Sequence, residues 1–334
     1  MSNFFNLTDK EQKLVIEQTN AKLGGVYPQI IEKDLWVTTF LQLVFALPFA
    51  DKLVFKGGTS LGKIHNLIER FSEDIDLAVD RKLFDLPDDL TKKQIKKLRK
   101  EGSIFVKDTF CMSLQKEVEK YNLQEFCQIE PEPDGVGDNT YPEPRKIFIR
   151  YHSLFDTLPY VKAEIVLEVS VRSLIEPTTK SKVNSLIAEN LPTIETTLVD
   201  SMITTTVPEK TFIEKAFLLH EIFTANKQVD ADRRSRHLYD LWKMMGEDFA
   251  KKAIHDDTLW DSIHQHRKSF TSVSGVDYSQ DIRSSICLVP PKQVIDDWQG
   301  DFEKMKNEMI YDKELTFDEL ISKIKELEEM IRLR

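Results

Sequence analysis

Cysteine is scarce in this chain of 334 residues, which contains only Cys111, Cys127 and Cys287. An odd number without paired metal-ligand spacing excludes a disulfide framework and a zinc finger. The seven histidines also form no ligand string. We therefore expect three buried or free thiols in a reducing compartment.

Long apolar runs are also missing. The longest, Leu43 to Ala50, is short and is interrupted by Pro48, so it cannot cross a bilayer. Residues 1–13 lack the basic region and apolar stretch of an export signal. These features predict a cytoplasmic protein that does not enter a membrane.

Positive charge is in deficit, with 46 basic against 56 acidic residues and a net charge of -10. This balance opposes wholesale coating of nucleic acid, so any RNA contact needs a local basic patch. The length predicts two domains, and 41% hydrophobic with 31% charged residues is ordinary for a globular chain.

The most informative stretch runs from Phe55 to Asp80, FKGGTSLGKIHNLIERFSEDIDLAVD. It predicts a strand, a glycine turn, a helix capped by Thr59 or Ser60, and a second strand. The free N–H groups at a helix start favour an anion. In the second strand, Asp74 and Asp76 share one side because side chains alternate. Two carboxylates beside a phosphate-binding turn suit a hard cation such as Mg²⁺.

Two other interpretations cover the same residues. Gly57, Gly62 and Lys63 fit most of a Walker A loop, but the following Ile64 lacks the hydroxyl that holds Mg²⁺. A glycine turn followed by a solvated acidic strand would carry no function at all. We favour the anion and metal site over both.

Two further strands are predicted at Lys146 to Tyr151 and at Tyr160 to Arg172. In the second, apolar residues alternate with polar ones, which places Glu164 and Glu168 on one face. Either of them could supply a third carboxylate beside Asp74 and Asp76. A solvent-facing acid on an edge strand is the competing interpretation.

The residues around the glycine turn resemble a known family. Gly58-Thr59-Ser60 followed by Ser72-Glu73-Asp74-Ile75-Asp76 is similar to the Gly-Ser and Asp-x-Asp signature of DNA-polymerase-β-like nucleotidyltransferases. The fuller strings FKGGTSL (55–61) and RFSED (70–74) resemble the AbiEii/AbiGii toxin family in particular. Thirteen residues separate Ser60 from Asp74, which we interpret as an extra helical turn.

The resemblance implies an α+β fold, with a polymerase-β-like core of mixed sheet and flanking helices followed by a mainly helical C-terminal domain. We expect N-terminal helices over residues 1–50, the core over 51–176 with a helical insertion at about 87–121, and the helical domain over 177–334. The domain boundary is predicted within Pro177 to Asn190, a polar, turn-rich segment. The active site is expected in the cleft between the two domains.

The resemblance also implies an activity, the transfer of a nucleoside monophosphate from an NTP to an acceptor with release of pyrophosphate. Mg²⁺ or Mn²⁺ would be held by Asp74, Asp76 and Glu168, which matches the family strand better than Glu164. The implied phosphate-binding residues are Gly57, Gly58, Thr59, Ser60 and Lys63.

Residues in the C-terminal half resemble the family's downstream motifs. Lys215 would hold a phosphate and Asp240 would lie at the catalytic end of the site. A positive rim for the acceptor would consist of Arg233, Arg234 and Arg236. His237 stands where an acid is expected.

Two charged elements carry alternatives. The predicted helix at residues 28–47 contains Glu32-Lys33-Asp34, within an element that resembles one preceding the glycine turn in the family; we favour a helix-surface cluster over substrate contact. On the predicted 87–121 insertion a basic stripe recurs at steps of three and four residues. Its members are Lys92, Lys93, Lys96, Lys97 and Lys100. We favour a solvated face over an RNA surface.

Similar toxins modify tRNA ends and are restrained by an antitoxin encoded beside them, in type IV toxin–antitoxin or phage-defence systems. The resemblance therefore implies NTP, RNA such as tRNA, and an antitoxin as partners. A protein-modifying nucleotidyltransferase and a catalytically silent NTP-binding regulator are the two alternatives.

Overall fold

The computed structural model describes residues 2–24, 26–87, 90–156, 162–226, 229–309 and 314–334. Backbone contacts divide the chain into two compact units. The first unit contains residues 1–64 and 72–206, and the second contains residues 65–71 and 207–334. No helix in the described part of the chain combines the length and the apolar character needed to span a membrane.

The first unit contains all nine strands and six α-helices of the described residues. The strands are β1 (Ser2–Asn3), β2 (Leu53–Lys56), β3 (Ile75–Val79), β4 (Cys127–Pro131), β5 (Arg145–Tyr151), β6 (Glu164–Ser170), β7 (Thr178–Ser181), β8 (Ile194–Glu195) and β9 (Ile203–Thr206). The helices are α1 (Asp9–Leu23), α2 (Pro28–Val44), α3 (Gly57–Lys63), α4 (Lys92–Ile104), α5 (Cys111–Lys120) and α6 (Leu186–Asn190).

Seven strands form one mixed sheet in the order β4-β5-β6-β3-β2-β9-β7. Strands β3 and β6 are parallel, as are β2 and β9, whereas the other neighbours are antiparallel. Along β6 buried and half-buried residues alternate, as predicted from the period of two. The mixed sheet with flanking helices confirms the predicted α+β core.

Helix α1 begins and ends as the sequence predicts. The Thr8 hydroxyl accepts from the backbone N–H of Glu11, and the Glu11 side chain returns to the Thr8 backbone, which completes a capping box. Gly24 ends the helix with φ of 76°, a left-handed conformation that glycine adopts readily.

The second unit is helical among the residues that the structure describes. Its helices are α7 (Pro208–Thr224), α8 (Ser235–Met245), α9 (Asp248–Ile254), α10 (Asp257–Phe270), α11 (Ile295–Met309) and α12 (Phe317–Arg332). One face of α12 is buried through Phe317, Leu320, Ile324 and Leu327, at helical spacing.

Three predictions about the elements were wrong. The predicted boundary at 177–190 falls inside the first unit, because β7 and β9 pair with each other and β9 pairs with β2. Helix α3 begins at Gly57 with Lys56 as N-cap, so neither Thr59 nor Ser60 caps it. It ends at Lys63, and the residues from 64 to 74 contain no extra helical turn.

Candidate active site

Four charged side chains lie in one row across neighbouring strands of the first unit. Strand register pairs Lys56 with Asp76, Asp76 with Glu168, and Glu168 with Lys146. All four side chains are half-buried. They lie on the face of the sheet that carries the half-buried residues of β6, opposite its fully buried residues. We call Lys56, Asp76, Glu168 and Lys146 the carboxylate row, since two acids from parallel strands are flanked by two lysines.

The register distinguishes Glu168 from Glu164. Glu168 lies opposite Asp76, whereas Glu164 lies opposite Arg150 and accepts from its Nε at 2.8 Å. Glu168 is therefore the acid beside the Asp-x-Asp strand, as the family resemblance implied. Its role in metal binding stays a prediction.

Lys146 was not predicted as a site residue. Its ammonium lies 2.9 Å from Glu168 Oε1. Burial lowers the pKa of Lys146, but the hydrogen bond and charge of Glu168, with the charges of Glu132 and Asp74, outweigh this and raise its pKa. Only the pairing of β5 with β6 brings Lys146 here, and a sequence pattern does not reveal that register.

Asp74 directly precedes β3, and period two places it on the same side as Asp76. Its segment is tied to α3: the Thr59 hydroxyl contacts Ser72 Oγ at 2.8 Å and donates to the Asp74 carbonyl at 2.5 Å. The two aspartates thus follow a short loop that α3 holds in place.

Gly57 permits the closest approach in this region. Its φ is +82°, and a Cβ at this position would overlap the carboxylate of Asp76. Both facts require glycine here, because any other side chain would displace Asp76. The glycine turn and the Asp-x-Asp strand are therefore adjacent, as predicted.

The other predicted phosphate-binding residues have mixed surroundings. Gly58 is half-buried in the first turn of α3, where helix N–H groups point outward. Ser60 is fully buried and donates to the Gly57 carbonyl at 2.8 Å. Lys63 binds Asp34 Oδ1 and the Asn184 carbonyl, each at 2.7 Å. Residues 57–63 are helical from the first, so the Walker A alternative has no loop.

Carboxylate oxygens are suitable donors for Mg²⁺ or Mn²⁺, but the predicted trio is not preassembled. Within the described ranges, no group of three or more His, Cys, Asp or Glu side chains is arranged to hold a metal ion. Glu168 instead contacts Lys146. Mg²⁺ commonly uses one or two protein carboxylates together with substrate phosphates, so the Asp74 and Asp76 pair fits its chemistry.

Lys215 and Asp240 lie in the second unit and contact each other. Asp240 has no exposed side-chain surface, and Arg70 binds both of its oxygens, with Nε at 2.7 Å and Nη2 at 2.8 Å. Lys215 Nζ is 2.8 Å from Asp240 Oδ2 and 3.4 Å from His237 Nδ1. We call Arg70, Lys215, Asp240 and His237 the buried ion cluster.

Burial and charge act against each other in this cluster. Burial alone raises the pKa of Asp240, but the charges and hydrogen bonds of Arg70 and Lys215 outweigh it and hold that pKa well below its usual range. The pKa of His237 is lowered by burial and by the nearby charges of Lys215 and Arg236, so its ring is neutral at pH 7. Arg70 was quoted in the family string without a role, and only folding reveals its bond to Asp240.

The predicted acceptor rim precedes and begins α8. Arg233 has a positive φ of 56°, and its backbone N–H donates to Asp301 Oδ1 at 2.7 Å. The Arg234 guanidinium is 3.9 Å from Asp230. Arg236 is half-buried. Burial is the largest cause that lowers the pKa of Lys215, and the charge of Arg236 is a smaller one. Their acceptor role stays a prediction.

A mixed sheet that brings a glycine turn against an Asp-x-Asp strand is the arrangement that the resemblance to nucleotidyltransferases implied. Residues 40–323 match the family model described as the nucleotidyl transferase AbiEii toxin of type IV toxin–antitoxin systems. The chain belongs to this family of nucleotidyltransferase toxins. The Glu32-Lys33-Asp34 element lies before the matched residues.

A solved structure shares this fold at low sequence identity. MenT4, a nucleotidyltransferase toxin from Mycobacterium tuberculosis, superposes with a TM-score of 0.54 at 15% identity, covering 98% of this chain and 90% of that one. JHP933 from Helicobacter pylori gives a TM-score of 0.45 at 11% identity, with 92% and 94% coverage. A search of curated proteins gives no significant match.

Proposed function

We propose that this toxin transfers a nucleoside monophosphate from an NTP to a hydroxyl of an RNA such as tRNA. A bond forms between the acceptor oxygen and the α-phosphorus, and the bond to the departing pyrophosphate breaks. The observation that carries this proposal is the placement of Asp76 against Gly57 on one side and beside Glu168 on the other. Family membership supports the reaction class.

In this proposal Asp74 and Asp76 bind Mg²⁺ or Mn²⁺. The ion would neutralise charge on the attacking and leaving oxygens. Lys146 pairs with Glu168 beside that position, and the first-turn N–H groups of Gly57 and Gly58 face the phosphates. Thr59 and Ser60 contribute through the backbone, since their hydroxyls bond within the chain.

Lys215 is proposed to hold the triphosphate. Its ammonium carries three donors, and the Asp240 and His237 contacts use two of them among the described residues. Asp240 acts by orienting Lys215.

The direct test is incubation of the protein with each α-labelled NTP, Mg²⁺ and total RNA. The matched control is the Asp74→Asn/Asp76→Asn double variant, which keeps side-chain volume and removes both charges. If RNA is labelled by the wild type but not by the double variant, the proposal is supported. Label in a protein band instead identifies a protein-modifying enzyme, and NTP binding without any labelled product identifies a silent regulator.

An RNA surface on the basic stripe of α4 is the alternative to a solvated face, and RNA binding can decide between them. All five lysines are exposed, and the structure gives Lys97 one partner, Glu101 at 3.5 Å. Changing Lys92, Lys93 and Lys96 to Gln should weaken RNA binding and flatten its salt dependence by about one unit per lost phosphate contact. The control changes Lys116 and Lys120 on α5. An unchanged salt slope would return the stripe to the solvated-face interpretation.

The family's toxin class supports a cognate antitoxin as protein partner. Because the substrates are NTP and RNA, we place the activity in the cytoplasm. Growth arrest on expression of the wild type, and normal growth with the double aspartate variant, would connect toxicity to the transfer reaction. Equal arrest by both would separate them.

A further inference from the structure

Three consecutive charged residues are buried inside the first unit. Glu32, Lys33 and Asp34 lie in α2 and are 2%, 1% and 5% exposed. The prediction that they form a helix-surface cluster was therefore wrong. Helix α2 is buried on nearly every side, so each charge must find its own partner within the protein.

Each of the three side chains contacts a different segment. Glu32 accepts from Ser153 Oγ at 2.6 Å and from the Leu154 N–H at 2.7 Å. Lys33 forms an ion pair with Glu73 and donates to the Lys162 carbonyl at 3.0 Å.

Asp34 accepts from Lys63 Nζ and from the Leu186 N–H, each at 2.7 Å. Successive helix residues point about 100° apart, which explains why three neighbours reach three segments.

Two of these contacts reach the parts that form the candidate active site. Glu73 directly precedes Asp74, so Lys33 holds the aspartate-bearing loop from one side while Thr59 holds it from the other. Lys63 ends α3, whose first residue lies against Asp76, so Asp34 fixes the far end of the same short helix. Helix α2 thus anchors both halves of the site.

We propose that Lys33 and Asp34 are positioning residues that hold Asp74 and Asp76 in register with the glycine turn. The proposal rests on the proposed function only in taking the two aspartates as metal ligands. Replacing a buried ion pair with packed apolar residues is often neutral or stabilising. The Lys33–Glu73 ion pair at this position therefore points to a need to fix the position of the loop that carries Asp74.

The test compares Lys33→Met with Glu32→Gln. Both variants alter a buried charged residue of α2, but the hydrogen bonds of Glu32 go to Ser153 and Leu154, whereas Lys33 pairs with Glu73. The first readout is hydrogen exchange of the 72–77 backbone, which needs no metal. The second is Mn²⁺ affinity from electron paramagnetic resonance.

We expect Lys33→Met alone to lose protection at 72–77 and to weaken Mn²⁺ binding by about 10–100-fold, the range for residues that orient metal ligands. Glu32→Gln should leave both readouts unchanged even where it lowers stability. Wild-type protection and affinity in Lys33→Met would overturn the proposal. If that variant does not fold, Lys33→Met/Glu73→Leu removes both charges and is measured instead.

Failure of the metal assignment is distinguishable from failure of the positioning role. If Asp76→Asn binds Mn²⁺ as well as the wild type does, the aspartates are not the ligands and the proposed function fails at that point. The exchange measurement then decides the positioning role alone. Loss of protection in Lys33→Met supports it, and unchanged protection overturns it.

Discussion

Asp76 and Asp240 are both aspartates close to cations, but their surroundings differ. Asp76 is half-buried, lies beside another acid, and belongs to a row with a lysine at each end. Asp240 has no exposed surface and is bound by Arg70 and Lys215 together. The first arrangement brings acids and lysines together at a half-buried surface, whereas the second neutralises one charge in the interior.

These surroundings separate a role in catalysis from a role in folding. Asp76 is half-buried beside Glu168, and repulsion between neighbouring carboxylates offsets part of what either acid contributes to the fold, so removing one should cost little stability. A buried carboxylate between two buried cations is required by its partners, because each cation would otherwise be left uncompensated. Charge removal should therefore reduce activity in the carboxylate row and stability in the buried ion cluster.

The largest effect is expected from Asp76→Ala. Transfer should fall by more than about 10³-fold, because a metal ligand and its charge are lost. Thermal stability without Mg²⁺ should hold or rise, since repulsion with Asp74 and Glu168 is relieved. A gel assay of labelled RNA and a melting curve give the two values.

Glu164→Ala is the matched control for Asp76→Ala, because Glu164 is a half-buried acid on the same face and pairs with Arg150. It should keep wild-type transfer. Full activity in Asp76→Ala, or loss of activity in the control, would contradict the assignment of the row.

The next effect is on stability and comes from Asp240→Ala. Removing this carboxylate leaves Arg70 and Lys215 buried without their counter-charge, so the free energy of unfolding should fall by about 3–5 kcal/mol. Urea denaturation measures the loss. Asp248→Ala, at a side chain that is 90% exposed, should change it by less than about 0.5 kcal/mol.

Low pH should reduce the stability that the buried ion cluster contributes. The folded pKa of Asp240 lies below its unfolded value, so its stabilisation is complete above the unfolded pKa of about 4 and is lost as pH falls through the folded pKa. The stability gap between wild type and Asp240→Asn should therefore shrink at low pH. A constant gap would show that the charge of Asp240 is not what stabilises the fold.

Lys215→Met tests the residue that is both a partner of Asp240 in the buried ion cluster and the proposed holder of the triphosphate. Arg70 still binds both oxygens of Asp240 in this variant, so folding should persist. The transfer rate should fall by about 10²–10³-fold, the range for losing one charge-stabilising donor. NTP binding should fall much less, because the charge that Lys215 stabilises grows on the leaving pyrophosphate.

Lys243→Met is the control for Lys215→Met. Lys243 lies on α8 in the same unit and pairs with Glu69 at 2.6 Å. It should transfer at the wild-type rate. An equal loss in both variants would point to a general effect of removing charge from the second unit and would remove the phosphate-binding role from Lys215.

Local patterns predicted much of this fold. The capping box at Thr8 and the period of two around Asp74 and Asp76 are short-range signals, set by hydrogen bonds and side-chain alternation within a few residues. The glycine turn is equally local. For this reason strands β2 and β3 were predicted at nearly their observed positions, whereas α3 begins at Gly57 and ends at Lys63, earlier than predicted.

Pairing between distant segments could not be predicted in the same way. Lys146 joins the row only through the β5 and β6 register, and Arg70 meets Asp240 across 170 residues of sequence. The prediction of a surface cluster at Glu32 to Asp34 was wrong because it relied on charge, and a charged triplet usually lies at the surface. Strands β7 and β9 are short and threonine-rich, so they lack the apolar alternation that marks a strand.

The smallest effect is expected from Lys146→Met, and it completes the comparison with Lys215→Met. The Lys146 and Glu168 side chains are 38% and 31% exposed, so water can solvate Glu168 when its partner is lost. Exposed ion pairs contribute about 0–1 kcal/mol, and the free energy of unfolding should change by no more than this. Arg150→Met, which breaks the Glu164 pair on the same two strands, is the control.

Metal binding separates Lys146→Met from its control. Losing Lys146 removes a positive charge beside Glu168, so attraction between the row and Mn²⁺ should increase and the dissociation constant should fall. Arg150→Met should leave that constant unchanged, because Glu164 lies four residues from Glu168 along the strand. Weaker Mn²⁺ binding in Lys146→Met would show that the lysine orients Glu168 for the metal. The row would then depend on a fixed ion pair, as the buried ion cluster does.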